Sequence, residues 1–534
     1  MSAKKLLTYF FLFVFFGICL GIKLYLVYFG YNFYHYLVPP GYDAIPHLAM
    51  IKSLSNQSVW ANFIGYPKLF HYLIFYLSQI FHQDSFSILT YWTPVLIIFP
   101  AIALYFLLKQ IFNLKTAVIA SLFFLFTSNY PLYGFVDGNY PNILAYGFFA
   151  IFCLAFIIKY SKTKKLFQLY AAIFFYILTG LTHHFSFAEL NGILFLSLMA
   201  MIFTRQLKLP KPKYNVHYFF VFLLSLFLLF SLLFAYKLYG TQFTSFFIGL
   251  ISNKSVIQDA YLNQAVQYHR YPEIIGPLIW YGGILGFFYM LITFLKSQEK
   301  DYTKMIIFVW VILIYLLSRL PASGLPERFA RELAIPITIC FAYLIDRIIN
   351  HPADMRLNRL SVLAGYGLMI YLIIINSSLY NPVMLDSLPD SFSKMVWYTQ
   401  ADQEKSDYLK NNFSADEAIY INLYANPYMQ LMTKANLVNF PLSGVSMDIY
   451  NKMKKNKQEK QDELNYNNTI NSLIKDNRGK LFFISPKPKG NTDGAVYPIF
   501  GQFEVYDNIM KDLTRNQPII KKFADGSRLY RIEQ

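Results

Sequence analysis

The chain reads as an α-helical polytopic membrane protein of about eleven transmembrane helices with a C-terminal α/β extracytoplasmic domain. Three observations predict this. The sequence is 56% hydrophobic and only 14% charged. Apolar runs recur at lengths near the roughly 20 residues that cross the hydrocarbon of a bilayer. Near residue 384 the long aliphatic runs give way to Asn, Lys, Asp and short mixed segments, which marks the start of a domain made for water.

The first predicted span, 7–30, follows a start bearing Lys4 and Lys5. It runs on into Tyr31-Asn32-Phe33-Tyr34-His35 without a small-x-small cleavage pattern, as an uncleaved first helix does. Residues 31–86 form a long first outer loop rich in aromatics, from which two interfacial helices are predicted at 43–55 and 67–82. Further spans follow at 88–109, 116–130, 141–159, 167–182, 186–204, 216–236, 273–295, 304–320, 331–349 and 360–380, completing a transmembrane domain over 1–383. In the soluble domain, 384–534, helices are predicted at 399–412, 426–434 and 458–475, with extended segments at Ala418–Leu423, Lys480–Ser485 and Phe523–Ile532. Cys19, Cys153 and Cys340 lie far apart in apolar segments, as core residues rather than a disulfide framework.

Charge sets the orientation. With the N-terminus inside, eighteen lysines and arginines fall in the inner segments and eight in the outer loops before residue 384, the bias expected of a cytoplasmic N-terminus. This topology predicts a multi-pass plasma-membrane protein with its C-terminal domain outside. The formal charge of +17 then sits mainly in the membrane part, and no nucleic-acid partner is needed to explain it.

Four constellations at the outer face carry candidate chemistry. Asp43 and His47, in Gly41-Tyr42-Asp43-Ala44-Ile45-Pro46-His47, share one face at a helix start, where the helix dipole favours a carboxylate; Asp43 reads equally as a simple N-cap. Asp137 lies in a Gly- and Pro-containing loop that can hold it in place, although Asp-Gly-Asn is also ordinary turn chemistry. His183 and His184 point to different sides of a helix, so one of them could serve a phosphate, with core packing the competing explanation. Arg328 and Arg331, in Pro326-Glu327-Arg328-Phe329-Ala330-Arg331-Glu332, offer planar forks suited to phosphate, while Glu327 and Glu332 could instead neutralise them.

Taken together, these motifs resemble the C-type (GT-C) superfamily of polyprenyl-phosphate-dependent glycosyltransferases, which includes oligosaccharyltransferase catalytic subunits, protein mannosyltransferases and aminoarabinose transferases. The similar features are Asp43 in a long first outer loop followed by His47, Asp137 in a second acidic loop, and Arg328-Phe329 before a late helix. Ser406-Asp407-Tyr408-Leu409-Lys410-Asn411-Asn412 and the closing Phe523-Ala524-Asp525-Gly526-Ser527-Arg528 of the soluble domain add to them. The resemblance implies transfer of a sugar from a polyprenyl-phosphate donor to a glycan, lipid or protein acceptor, with inversion. It makes Asp43 the base and Asp137 either an orienting residue or, in a metal-dependent enzyme, a partner of Asp43 in holding Mg or Mn. Arg328, Arg331, His184 and His47 would bind the phosphate. The Trp-Trp-Asp signature of oligosaccharyltransferases is absent, the nearest context being Val396-Trp397-Tyr398, which argues against asparagine-linked protein glycosylation. A transporter or flippase of a lipid-linked anion, or a non-catalytic binding subunit, is the alternative reading of the same charges.

Overall fold

The computed structural model describes residues 3–33, 43–54, 66–136, 138–203, 265–296, 302–320, 326–350, 400–414, 416–422, 436–441, 444–455, 460–486 and 499–533, with single positions 367, 371, 429 and 433. Asp137 and the predicted span 216–236 lie outside the described residues, as do all but single positions of 360–380 and 426–434. The chain divides into two compact units: Met1–Phe33 with Met50–Leu385, and Tyr34–Ala49 with Asp386–Gln534.

The first unit is helical. Its elements are α1 (Ala3–Phe33), α2 (Ala44–Ser53, straddling the division), α3 (Leu69–Phe81), α4 (Ser85–Trp92), α5 (Phe99–Ile111), α6 (Leu114–Thr127), α7 (Tyr130–Val136), α8 (Tyr140–Leu144) and α9 (Ile151–Thr163). They continue with α10 (Leu166–Thr182), α11 (His184–Phe203), α12 (Tyr271–Ile275), α13 (Pro277–Lys296), α14 (Tyr302–Arg319), α15 (Pro326–Glu332) and α16 (Ala334–Ile349). Among the described residues, six stretches are long and apolar enough to cross a membrane: Tyr9–Tyr28, Ser85–Ile111, Tyr140–Thr163, His184–Met201, Pro277–Lys296 and Tyr302–Arg319. Their exposed faces are apolar, as lipid contact requires. Tyr281, Leu285, Phe288 and Ile292 make one such stripe on α13, and Phe167, Tyr170, Phe174, Ile177 and Leu181 make a comparable one on α10, a shorter apolar helix.

Two helices, α6 and α10, are shorter than the roughly 20 residues of a full span, for reasons visible locally. Asn113 caps α6 by accepting from the Thr116 amide (3.0 Å), and the helix ends at Ser128. Its 14 residues, about 21 Å at 1.5 Å each, fall short of hydrocarbon thickness, but every side chain from Thr116 to Phe126 is buried in protein, so the helix need not span lipid alone. Helix α10 stops at Thr182 because His183 turns extended. The span predicted at 88–109 is composite: Thr93–Ile98, which contains Pro94 and ends two residues before Pro100, is a 3-10 segment joining α4 to α5.

Helices α13 and α16 approach closely through glycine. A Cβ on Gly286 would stand 2.0 Å from the Cys340 carbonyl oxygen, and one on Gly283 2.2 Å from Ile337 Cγ2. The three cysteines are free and buried in this core.

In the second unit, helix α17 (Gln400–Asn412), strands β1 (Ala418–Ile421) and β2 (Asn436–Asn439), helices α18 (Gly444–Lys455) and α19 (Lys460–Asp476), strand β3 (Leu481–Ile484), helix α20 (Ile499–Thr514) and strands β4 (Ile519–Lys522) and β5 (Arg528–Arg531) form an α/β module. The sheet order is β2-β1-β3-β5-β4, with β1 parallel to β2 and β3 and the β3–β5 and β4–β5 pairs antiparallel. The sequence misses β2 and β4. The extended run predicted at Phe523–Ile532 is a turn followed by β5, with Gly526 at φ 91° making the reversal.

Candidate functional site

Helix α15 carries four charges in seven residues, and its pitch sorts them into two i,i+4 pairs. Arg331 Nη2 meets Glu327 Oε1 at 3.2 Å, and Arg270 reaches the same oxygen at 3.6 Å, on the more exposed side. The Arg331 guanidinium also lies 5.2 Å from the centre of the Tyr133 ring. Arg328 Nε donates to Glu332 Oε1 at 3.1 Å on the inner side, where Glu332 is fully buried and the Arg328 side chain is only 12% exposed.

Buried charge needs buried partners, and three other elements supply them. Asn142 of α8 donates from Nδ2 to Glu332 Oε1 at 2.8 Å. Its Oδ1 accepts from Ser186 Oγ of α11 at 2.6 Å. Between α10 and α11, His183 sits at φ −156°, ψ 124°, and its ring folds back so that Nδ1 accepts from the Ser186 amide at 3.3 Å, a cap for α11. Arg328 Nη2 lies 3.2 Å from the same Nδ1. A guanidinium and a backbone amide can only donate, so Nδ1 is the acceptor and the His183 proton resides on Nε2.

Arg328 is therefore held at two nitrogens, with Phe185 5.3 Å away across its plane. Its remaining nitrogen, Nη1, meets no acceptor among the described residues. Burial opposes the guanidinium charge, but the Glu332 carboxylate, by charge and hydrogen bond, does most to outweigh it, so its pKa is held above the ordinary arginine value. The result is a fixed cation with one unspent donor, suited to a tetrahedral anion.

Aromatics wall the cluster. Tyr66, just before α3, packs edge-on to His183 at 6.3 Å, His184 at 5.4 Å and His71 at 5.7 Å. Beneath it, Trp310 Nε1 donates to Tyr146 Oη (2.8 Å), which in turn donates to the Glu332 carbonyl at 3.3 Å.

The sequence-predicted residues are distributed unevenly. Arg328 and Arg331 share α15, but only Arg328 joins the buried network. His184, half-buried in the first turn of α11, packs on Phe185 at 4.4 Å, and it is His183 that meets Arg328. Asp43 and His47 fall in the second unit: Asp43 is exposed immediately before α2, its carbonyl accepting from the His47 amide (3.3 Å), and His47 is buried. Among the described residues no group of three or more His, Cys, Asp or Glu lies together as a metal would require. Asn142 and Ser186 carry the network, and Glu189 is buried beside it, without having been predicted as site residues; a glutamate inside an apolar run was the one sequence signal for them.

No family model and no curated protein matches the chain. Solved structures do. Over 99% of its length and 98% of the other, the chain superposes on ArnT from Cupriavidus metallidurans bound to undecaprenyl phosphate, with TM-score 0.56 and 11% identity. It superposes likewise on the oligosaccharyltransferase AglB from Archaeoglobus fulgidus in complex with an inhibitory peptide and a dolichol-phosphate, over 100% of this chain and 75% of that one, with TM-score 0.57 and 13% identity. Against the apo form of the Archaeoglobus fulgidus oligosaccharyltransferase, the match spans 81% of this chain and 65% of that chain, with TM-score 0.52 and 13% identity. The chain is thus similar in fold to the GT-C glycosyltransferases, and it is a membrane protein.

Proposed function

We propose that this protein is a membrane glycosyltransferase that moves a sugar from a polyprenyl-phosphate-linked donor to a glycan, lipid or protein acceptor at the outer face of the plasma membrane, with inversion at the sugar carbon. The observation that carries this is Arg328: a largely buried guanidinium fixed at Nε and Nη2 with Nη1 unspent, in a fold shared with proteins bound to undecaprenyl phosphate and dolichol-phosphate.

In such a transfer the acceptor oxygen attacks the anomeric carbon as the carbon–oxygen bond to the lipid phosphate breaks. The acceptor must lose a proton and the phosphate must gain a counter-charge. Asp43, exposed immediately before α2, takes the proton. Arg328 stabilises the departing phosphate, with His183 fixing its plane. Arg331, already engaged by Glu327, contributes long-range positive charge, while His47 and His184 assist in binding the phosphate. Asp137 orients the acceptor. In a metal-dependent enzyme Asp43 and Asp137 would be the oxygen donors, but the described residues offer no complete ligand set and no step is routed through a metal.

The test is sugar release by the purified protein from a panel of polyprenyl-phosphate sugars, with candidate acceptors, in EDTA and in Mg or Mn. Turnover falling by about 10² or more in Asp43→Asn, with donor binding kept, supports Asp43 as base. Donor binding without turnover under every condition would overturn the reading in favour of a transporter or binding subunit.

A further inference from the structure

Glu189 has no place in the mechanism above, yet it lies 4% exposed on a membrane-crossing helix, and among the described residues neither of its carboxyl oxygens has a donor. Its position is fixed by helix periodicity: Ser186, three residues earlier on the same face of α11, is tied through Asn142 to Glu332. One turn deeper, Glu189 faces Glu332 within hydrogen-bonding reach. Glu332 spends Oε1 on Asn142 and Arg328, while its Oε2 has no donor. Three donor-less carboxyl oxygens therefore meet in one buried spot.

Among the described residues, the groups around them do not supply the missing donors. Arg328 directs Nε to Glu332 Oε1 and Nη2 to His183, and its Nη1 reaches neither Glu189 nor Glu332 Oε2; Asn142 donates to Oε1 and Tyr146 to the Glu332 carbonyl. The Tyr130 hydroxyl, also buried nearby, makes no hydrogen bond. Two buried carboxylates beside one guanidinium would leave an uncompensated negative charge, which a buried site does not tolerate. A single proton removes both difficulties.

We propose that Glu189 is the protonated member of a carboxyl–carboxylate pair, donating to Glu332 Oε2, and that this neutral donor is a positioning residue that holds the Glu332 carboxylate, and through it Arg328, in place. The cluster then carries one positive charge on Arg328, one negative charge on Glu332 and none on Glu189.

Infrared difference spectroscopy of the full chain in nanodiscs reads the proton directly and is independent of the function proposed above. The protonated-carboxyl C=O band is expected in wild type at pH 7 and in Arg328→Lys, and lost in Glu189→Gln. Its absence from wild type, or its persistence in Glu189→Gln, overturns the proposal. A second measurement, undecaprenyl phosphate binding, rests on the proposed function. There Glu189→Gln, whose amide donates as the acid does, keeps wild-type affinity, whereas Glu189→Leu of similar bulk weakens it by roughly tenfold, the order expected when a buried acceptor loses its donor. Equal weakening by both variants would leave a purely structural role and refute the positioning claim. If Arg328→Ala binds the lipid phosphate as wild type does, the function reading fails while the infrared result still decides the pair.

Discussion

Replacing Arg328 by lysine isolates the geometry of the guanidinium from its charge. In the native cluster three nitrogens have three destinations: Nε to Glu332 (3.1 Å), Nη2 to His183 (3.2 Å) and Nη1 to the incoming phosphate. A lysine ammonium is a single point at the end of a flexible stem; placed against Glu332, it cannot also reach His183 and the ligand. The variant keeps the ion pair and loses at least the oriented bond to phosphate. A hydrogen bond to a charged group contributes a net of about 1.5–3 kcal/mol, so affinity for undecaprenyl phosphate should fall roughly 10- to 100-fold. Arg328→Gln should cost more, because Glu332 is then left buried without a cation. The penalty of about 3–5 kcal/mol for breaking a buried pair is an upper bound here, since Asn142 still donates to Glu332 at 2.8 Å. The assay is equilibrium binding to the protein in nanodiscs, with the uncharged polyprenol as control and thermal melting as the check on folding. A well-folded Arg328→Lys variant that binds lipid phosphate as tightly as wild type would refute the assignment of Arg328.

Three further outcomes follow from the same structure. His183→Phe should weaken lipid-phosphate binding by roughly tenfold through loss of the Nδ1 contact, and His184→Phe by distinctly less; the reverse order would show that Nδ1 does not fix the arginine. Gly276→Ala should destabilise the protein by about 2 kcal/mol or more, since φ is 105° and a Cβ would stand 2.0 Å from the Thr127 carbonyl oxygen, whereas Gly17→Ala on the first helix meets open space and should leave the melting temperature unchanged. In the second unit Lys405 bridges Asp402 and Asp525 at 2.6 Å each; burial alone would raise the Asp525 pKa, but Lys405 and Ser527 outweigh it and hold it below the usual range. That pairing therefore adds stability above the unfolded aspartate pKa of about 3.9 and loses it as pH falls through the lower folded value. Lys405→Met should flatten the acid-induced drop in melting temperature below pH of about 4, and an unchanged acid profile would exclude the pairing as its source.

Much of the fold was legible because long apolar runs leave few alternatives: once a segment is apolar for some 20 residues, helix is the only way to satisfy its backbone in lipid. What sequence could not show was where helices break. The two adjacent histidines were readable as a candidate site, but choosing between them depends on His183 leaving the helix and turning Nδ1 back over α11, a backbone event without a composition signal. The strands β2 and β4 were missed for a different reason. Each is four residues long, and β4 is exposed throughout, so neither shows the apolar alternation from which strands are inferred; tertiary pairing makes them. Glu332 was foreseen as a neutraliser of arginine, and it fills that role for Arg328. Asn142 and Ser186 are ordinary residues whose importance lies in the space between helices, 190 and 44 positions along the chain from their partners.

Those helix breaks also explain how a polar cluster can exist inside an apolar bundle. Asn142 sits in the first turn of α8, His183 in the gap before α11, and Arg328 and Glu332 on a seven-residue helix that ends before α16. Each is a place where a continuous helix would expose unpaired backbone groups, and there a side chain can be spent both on the backbone and on its neighbours. His183 does so literally, taking the Ser186 amide and the Arg328 guanidinium on one nitrogen. Ser186 is the hinge of that economy: its amide is capped by His183 and its hydroxyl fixes Asn142, which orients the carboxylate that holds Arg328. The direction of the arginine fork is thus set by where α10 ends, which couples the geometry of the proposed phosphate site to the backbone rather than to the loops around it.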